Sequence, residues 1–139
     1  MKVEFTVPGA PYGKGRPRIG KVGAHARMFT PEKTANYEGL IAHCAHVAMA
    51  GQPPFTGAAQ VQLEILCQVP ASWSKKKQAL ALDSAIFPTT KPDADNVVKA
   101  IFDGMNGVVW RDDVQAVDLS VVKRYGAAPG VNVTVWELG

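Results

Sequence analysis

The sequence predicts a single α+β domain in which helices pack on a small mixed β-sheet, and three observations carry that expectation. With 139 residues, the chain is long enough to bury one ordinary core and short enough to be one domain, residues 1–139. Segments of period-two apolar alternation stand at Lys2–Val7, Ala58–Val69, Ala116–Tyr125 and Val131–Leu138. Two longer runs have helical character, one from Pro31 to about Ala50 and one from Asp93 to about Met105.

Each element has a local cause. In the first strand Val3, Phe5 and Val7 share a face, and Pro8 ends it. The following GAPYGKGRPRIGKVGAHARMF is punctuated by glycine and proline and reads as a long basic loop, a kind of segment that is often functional. Thr30 is placed as an N-cap with Pro31 at the first helical position. That helix carries Tyr37, Leu40, Ile41, Cys44 and Val47 as its apolar stripe and ends at Gly51. The next strand turns Val61, Leu63, Ile65 and Cys67 to one side and closes at Pro70. Ser74 caps a short helix, Lys75 to Leu82, whose three lysines form a solvated first turn. Pro88 to Pro92 is an extended approach. Pro92 disfavours helical geometry at Lys91, so Asp93 becomes the N-cap of a helix that ends at Asn106-Gly107, with Val97, Val98, Ile101, Phe102 and Met105 as its stripe. The last two strands are expected to pair antiparallel with each other through Gly126 to Gly130.

Several classes are excluded on composition. Pro8 interrupts the opening segment before an apolar signal core develops, and no run reaches membrane-spanning length, so a cytoplasmic protein without a membrane partner is expected. Cys44 and Cys67 lie far apart and read as buried small hydrophobes, without a disulfide framework or zinc spacing. His43 and His46 flank the helical stripe beside Cys44, a spacing that does not converge on a tetrahedral metal.

Charge is unevenly spread. The first 35 residues hold seven basic side chains (Lys2, Lys14, Arg16, Arg18, Lys21, Arg27, Lys33) against Glu4 and Glu32, a balance of +5 within a net charge of +3. A basic arm in an otherwise acidic chain suits a polyanionic partner such as a nucleic acid backbone, although a solvated basic loop reads equally well. The acidic groups gather at the two ends of the later helix, Asp93 and Asp95 before it and Asp112 and Asp113 after it. Taken singly, Asp93 is a cap, Asp95 complements the helix dipole and pairs with Lys99 one turn on, and Asp112 and Asp113 are turn residues. If the two ends meet, several carboxylates converge, and their repulsion calls for a hard cation such as Mg²⁺. Val97 and Val98 stand where a calcium loop needs an oxygen ligand and a glycine, so an EF-hand does not fit. Metal-assisted phosphoryl chemistry does, with Lys99 near the same phosphate.

The run KPDADNVVKAIFDGMNGVVWRDDVQAVDLSVVKRY resembles the core of the RusA family of Holliday junction resolvases. It has the D-x-D-N start, the lysine four residues after the second aspartate, the F-D-x-x-N helix end and the D-D-x-Q-x-V-D that follows. PGAPYGKGRPR followed by FTPEKTANYE resembles the basic loop and first helix of RusA-like phage and prophage proteins.

The resemblance implies a homodimeric endodeoxyribonuclease, dependent on Mg²⁺ or on Mn²⁺ in its place and using no small-molecule cofactor, that resolves branched DNA, above all four-way junctions, by paired symmetric nicks. It implies that Asp93, Asp95 and Asp113 are the metal ligands and Lys99 the essential lysine, with Asn96, Asp112 and Asp118 as secondary candidates. Where the best-known member has an arginine-rich run before its first aspartate, this chain has FPTTKP. DNA contacts are therefore expected from Lys14, Arg16, Arg18, Lys21, Arg27 and Lys91, and the resemblance does not imply the founding member's preferred dinucleotide. Two other readings stay open: a flap- or fork-directed nuclease, and a non-catalytic DNA-binding protein whose acidic cluster is structural.

Overall fold

The structure is a computed structural model that describes residues 1–14, 18–22, 25–29 and 32–139, with 18–22 and 25–29 described through their backbone alone. Its elements run β1 (Lys2–Pro8), β2 (Arg18–Val22), β3 (His25–Phe29), α1 (Glu32–Met49), β4 (Ala58–Gln68), α2 (Lys75–Leu82), α3 (Ala94–Met105), a 3-10 turn (Asp113–Gln115), β5 (Ala116–Gly126) and β6 (Gly130–Leu138). This is the α+β domain with a mixed sheet that the sequence predicts. Among the described residues no helix is long and apolar enough to cross a membrane.

The sheet order is β1-β6-β4-β5. Strand β6 runs antiparallel to both β1 and β4, while β5 runs parallel to β4. The expected antiparallel pair of the last two strands is therefore not formed, because β4 lies between them. β4 turns Ala59, Val61, Leu63, Ile65 and Cys67 into the core, and that row is best covered when both of its edges are paired. A parallel β5 must then be reached by a crossover, which α2 and α3 provide.

A second correction concerns the basic arm. Part of the expected loop is a two-stranded antiparallel ribbon, with Arg18 opposite Phe29 and Val22 opposite His25. Its strands are only five residues each, RIGKV and HARMF, and neither shows a clear apolar alternation, with Gly20 interrupting the first. Arg16 and the expected cap pair Thr30-Pro31 lie outside the described residues, as do the side chains of Arg18, Lys21 and Arg27.

The helices cover one face of the sheet. Helix α1 buries Thr34, Tyr37, Ile41, Ala45 and Met49, whereas Val47 is exposed and Cys44 is half-buried, so the core stripe lies beside the expected one. Cys67 is buried as expected. Helix α3 buries Val97, Ala100, Ile101, Gly104 and Met105, with Val98 and Phe102 partly covered. Gly104 sets how closely α3 approaches α1, since a Cβ there would lie 2.6 Å from the Ile41 Cβ and 3.1 Å from the Glu38 carbonyl oxygen. The opposite face of the sheet is tied by polar side chains across all four strands. The Thr6 hydroxyl donates to Asn132 Oδ1 at 2.7 Å, the Asn132 amide donates to Glu64 Oε1 at 2.9 Å, and Arg124 Nε lies 3.4 Å from Glu64 Oε2.

Candidate active site

Helix α3 begins at the residue the sequence predicts, but its cap is incomplete. Asp93 occupies the N-cap position with extended backbone (φ −68°, ψ 136°), yet its side chain makes no capping hydrogen bond. The expected capping role is thus filled in position only, and the carboxylate is left exposed, as is that of Asp95. The approach to Asp93 is held from the sheet. Lys123 on β5 donates to the Thr90 carbonyl at 2.7 Å and the Pro92 carbonyl at 2.9 Å, clasping a turn that contains the cis Lys91–Pro92 peptide.

The second acidic pair is set by a different device. Asp112 caps the 3-10 turn with its carboxylate accepting from the Asp113 N–H at 2.9 Å, and Gln115 Oε1 accepts from the N–H groups of Asp112 and Arg111 at 3.1 and 2.9 Å. The Gln115 amide donates in turn to the Phe55 and Gly57 carbonyls at 2.8 and 2.9 Å, so the whole turn is fastened to the segment entering β4. Just upstream, Trp110 is fully buried, its indole N–H donating to Asn106 Oδ1 at 2.8 Å and its ring meeting Phe102 edge-on at 5.1 Å. These contacts leave Asp113 half-buried against the middle of α3.

There it meets Lys99, whose Nζ lies 3.6 Å from Asp113 Oδ2 and 3.2 Å from Asp103 Oδ1. The pairing expected from helical spacing alone, Asp95 with Lys99, is replaced by one directed towards the helix C-terminus. Asp103 also receives Lys14 Nζ, which lies 3.2 Å from Glu38 Oε1 as well. Burial pushes the Asp103 carboxyl up, but hydrogen bonds from Lys14 and Lys99 outweigh it and hold the group below its ordinary value. The bond to Asp103 likewise raises the Lys14 and Lys99 ammonium groups, against the opposing effect of their own burial.

Lys14 therefore has partners other than DNA: it is three-quarters buried among carboxylates, and its backbone N–H donates to the Asn96 carbonyl at 3.0 Å. Gly13 allows that crossing, because a Cβ there would lie 2.9 Å from the Asn96 Cβ. Lys91 is exposed on the rim of a cleft of about 640 Å³ whose walls include Tyr12, Pro92, Asp93 and Asn96. Asp118 is exposed near the start of β5, just past Val117, where the β4–β5 register shifts. His43 and His46 are exposed on α1.

The structure thus brings Asp113 to Lys99 and leaves Asp93 and Asp95 open at the helix start. Among the described residues, no three His, Cys, Asp or Glu side chains stand close enough together to hold one cation. In kind, the donor set fits a hard divalent metal, since Asp93, Asp95 and Asp113 offer only oxygen and Asp93 spends none of it on its own helix. Sequence reasoning assigned no partner to three supporting residues: Asp103, Gln115 and Lys123. Two of them left a local signal, Asp103 in its i, i+4 spacing from Lys99 and Gln115 in the D-x-x-Q spacing from Asp112, which is a capping-box pattern.

A sequence model described as Endodeoxyribonuclease RusA matches residues 8–136 of this chain. The chain is also 36% identical over 140 residues to the uncharacterized protein YqaN of Bacillus subtilis (strain 168), an alignment covering 98% of this chain and 96% of that protein.

Proposed function

Because this chain belongs to the RusA family of endodeoxyribonucleases, we propose that it resolves four-way DNA junctions by paired symmetric nicks, with Lys99 as the catalytic cation and with Asp93, Asp95 and Asp113, which do not form one cluster as placed here, drawing together to hold Mg²⁺. The observation that carries this reading is the meeting of Lys99 and Asp113 at 3.6 Å, residues from separate parts of the family pattern brought together on one side of α3. Nucleases of this family generally use a divalent metal. When bound, such an ion supplies a Lewis acid for the phosphate and a lowered pKa for an attacking water. The chain's own contribution is positional. The Lys123 clasp fixes the backbone entering Asp93, the Gln115 clamp fixes the turn bearing Asp113, and Asp103 keeps the Lys99 ammonium extended along the helix rather than turned back to Asp95. A charged lysine so held offsets the negative charge that develops on phosphate oxygens as the P–O bond breaks. Protonation of Lys99 is secure across the neutral range, since the bond to Asp103 raises its pKa.

A junction must be cut on two strands, so two equivalent sites in a homodimer suit its twofold symmetry. Strand β5 lies at one end of the sheet order and exposes Val117 and Leu119 beside the site, with Val114 exposed just upstream, and a second copy would cover that surface. The experiment is cleavage of a synthetic four-way junction with Mg²⁺ by the parent and by Asp95→Asn, with binding followed under chelation. Symmetric nicks by the parent, none by the variant and binding by both are expected. Binding without cleavage by the parent across several divalent ions and junction sequences would overturn the nuclease reading.

A further inference from the structure

The cleft beside Asp93 is larger than ligation of a metal requires, and its walls have a chemistry of their own. Pro11 is buried beneath it, Pro92 and the Tyr12 ring present flat apolar surfaces, Asn96 brings an amide, and Lys91 stands exposed at the rim. We propose that this cleft receives a single nucleotide base displaced from the stack next to the phosphate that is cut. The proposal rests on the junction-nuclease reading above and adds to it a source of structural selectivity.

Size comes first. A volume of about 640 Å³ falls within the range of sites that take small molecules, which is room for one base with its sugar. Stacking comes next. Aromatic and proline surfaces accept any base through its π-face, so such a cleft would not by itself read sequence. Tyr12 is already positioned for this, its ring 5.9 Å from that of Tyr37 at an interplanar angle of 72°, with Tyr37 buried in the core. A wall ordered before binding loses little entropy when a base arrives. The carboxylate and ammonium that share the rim, Asp93 and Lys91, would then lie beside the backbone of the captured nucleotide. The Asn96 amide offers a donor and an acceptor to a base edge.

The selectivity follows from the cost of removing a base from its stack. That cost is smallest where pairing or stacking is already broken, as at a branch point, and largest within an intact duplex. A nuclease that must fill this cleft in order to place its phosphate near Asp93 would therefore favour branched DNA without contacting all four arms.

The test uses four-way junctions with 2-aminopurine placed in turn at each nucleotide flanking the nick, bound to the full chain under chelation. A severalfold fluorescence change at one position is expected. An abasic residue at that position should weaken binding by the parent on the order of tenfold, and should weaken binding by Tyr12→Leu far less. Should Tyr12→Leu fail to fold, the abasic series on the parent decides alone. A parent that binds and nicks junctions while no position changes fluorescence and no abasic residue alters affinity overturns the cleft proposal and leaves the nuclease reading standing. A parent that neither binds nor nicks any junction overturns both.

Discussion

Lys99 Nζ lies 3.6 Å from Asp113 Oδ2, and this contact joins the middle of α3 to the turn that precedes β5. The lysine is more than half exposed, so the pair adds little to folding stability, and its value lies in where it holds the ammonium. Replacing Lys99 with methionine is expected to lower single-turnover junction cleavage on the order of 10²-fold, with binding under chelation unchanged. A thermal melt within a degree or two of the parent would separate this loss from unfolding.

Asp103 gives the fold a dependence on acid. Its carboxyl titrates below the ordinary range when folded, because hydrogen bonds from Lys14 and Lys99 outweigh burial. A depressed carboxylate contributes stability that is present above the unfolded pKa, ~3.9, and is lost as pH falls through the folded value. Urea midpoints of the parent should therefore drop as pH falls below about 4. Asp103→Asn should start lower at neutral pH and lose less over the same interval. Parallel pH profiles for the two proteins would refute the assignment.

Gly104 is expected to tolerate no side chain. Alanine there would put its Cβ 2.6 Å from Ile41 Cβ and Cγ2, in a contact between two helices that cannot part without opening the core. Gly104→Ala should lose about 1–3 kcal/mol by urea denaturation. Gly39 is a control within α1, since a Cβ there meets nothing within 4 Å. Gly39→Ala should be neutral or slightly stabilising.

Gln115 fastens the turn that carries Asp113. Gln115→Leu removes the donor from the Phe55 and Gly57 carbonyls and the acceptor from Arg111 and Asp112, and is expected to cost about 1–3 kcal/mol. It should also reduce cleavage at temperatures well below its melting midpoint. Full activity in a destabilised variant would show that the turn keeps its place without the clamp.

The basic arm divides into two kinds of cation. Arg16→Ala with Arg18→Ala is expected to weaken junction binding and flatten its dependence on salt. Lys14→Ala removes the partner shared by Asp103 and Glu38 and should show up mainly as lost stability. Binding isotherms across a salt series, set beside melting curves, check both outcomes.

Most elements were legible because their causes are local. The alternation in β4, the Ser74 cap and the Asn106-Gly107 stop each act within a few residues. Strand order was less legible, since alternation marks a strand without saying which neighbour it takes, and nearness in sequence favoured β5 with β6 over the arrangement the core requires. At the site, the spacing of Asp95 and Lys99 suggested a pair, but Asp103 and Asp113 compete for the same ammonium, and Asp113 arrives only through the tertiary fold. Lys123 shows the same limit, because its partners are two carbonyls in a remote turn.

Strand β5 works as a ruler. The turn carrying Asp113 leads into its first residue, and Lys123 near its far end grips the turn that leads into Asp93. The spacing between the two acidic groups is therefore measured in whole residues of one strand that is locked to β4. Deleting a single residue between Val117 and Lys123 would reverse the side to which every later side chain points and withdraw Lys123 from its carbonyls. Length variation can be absorbed at the 127–129 connection to β6, where it leaves this measure unchanged.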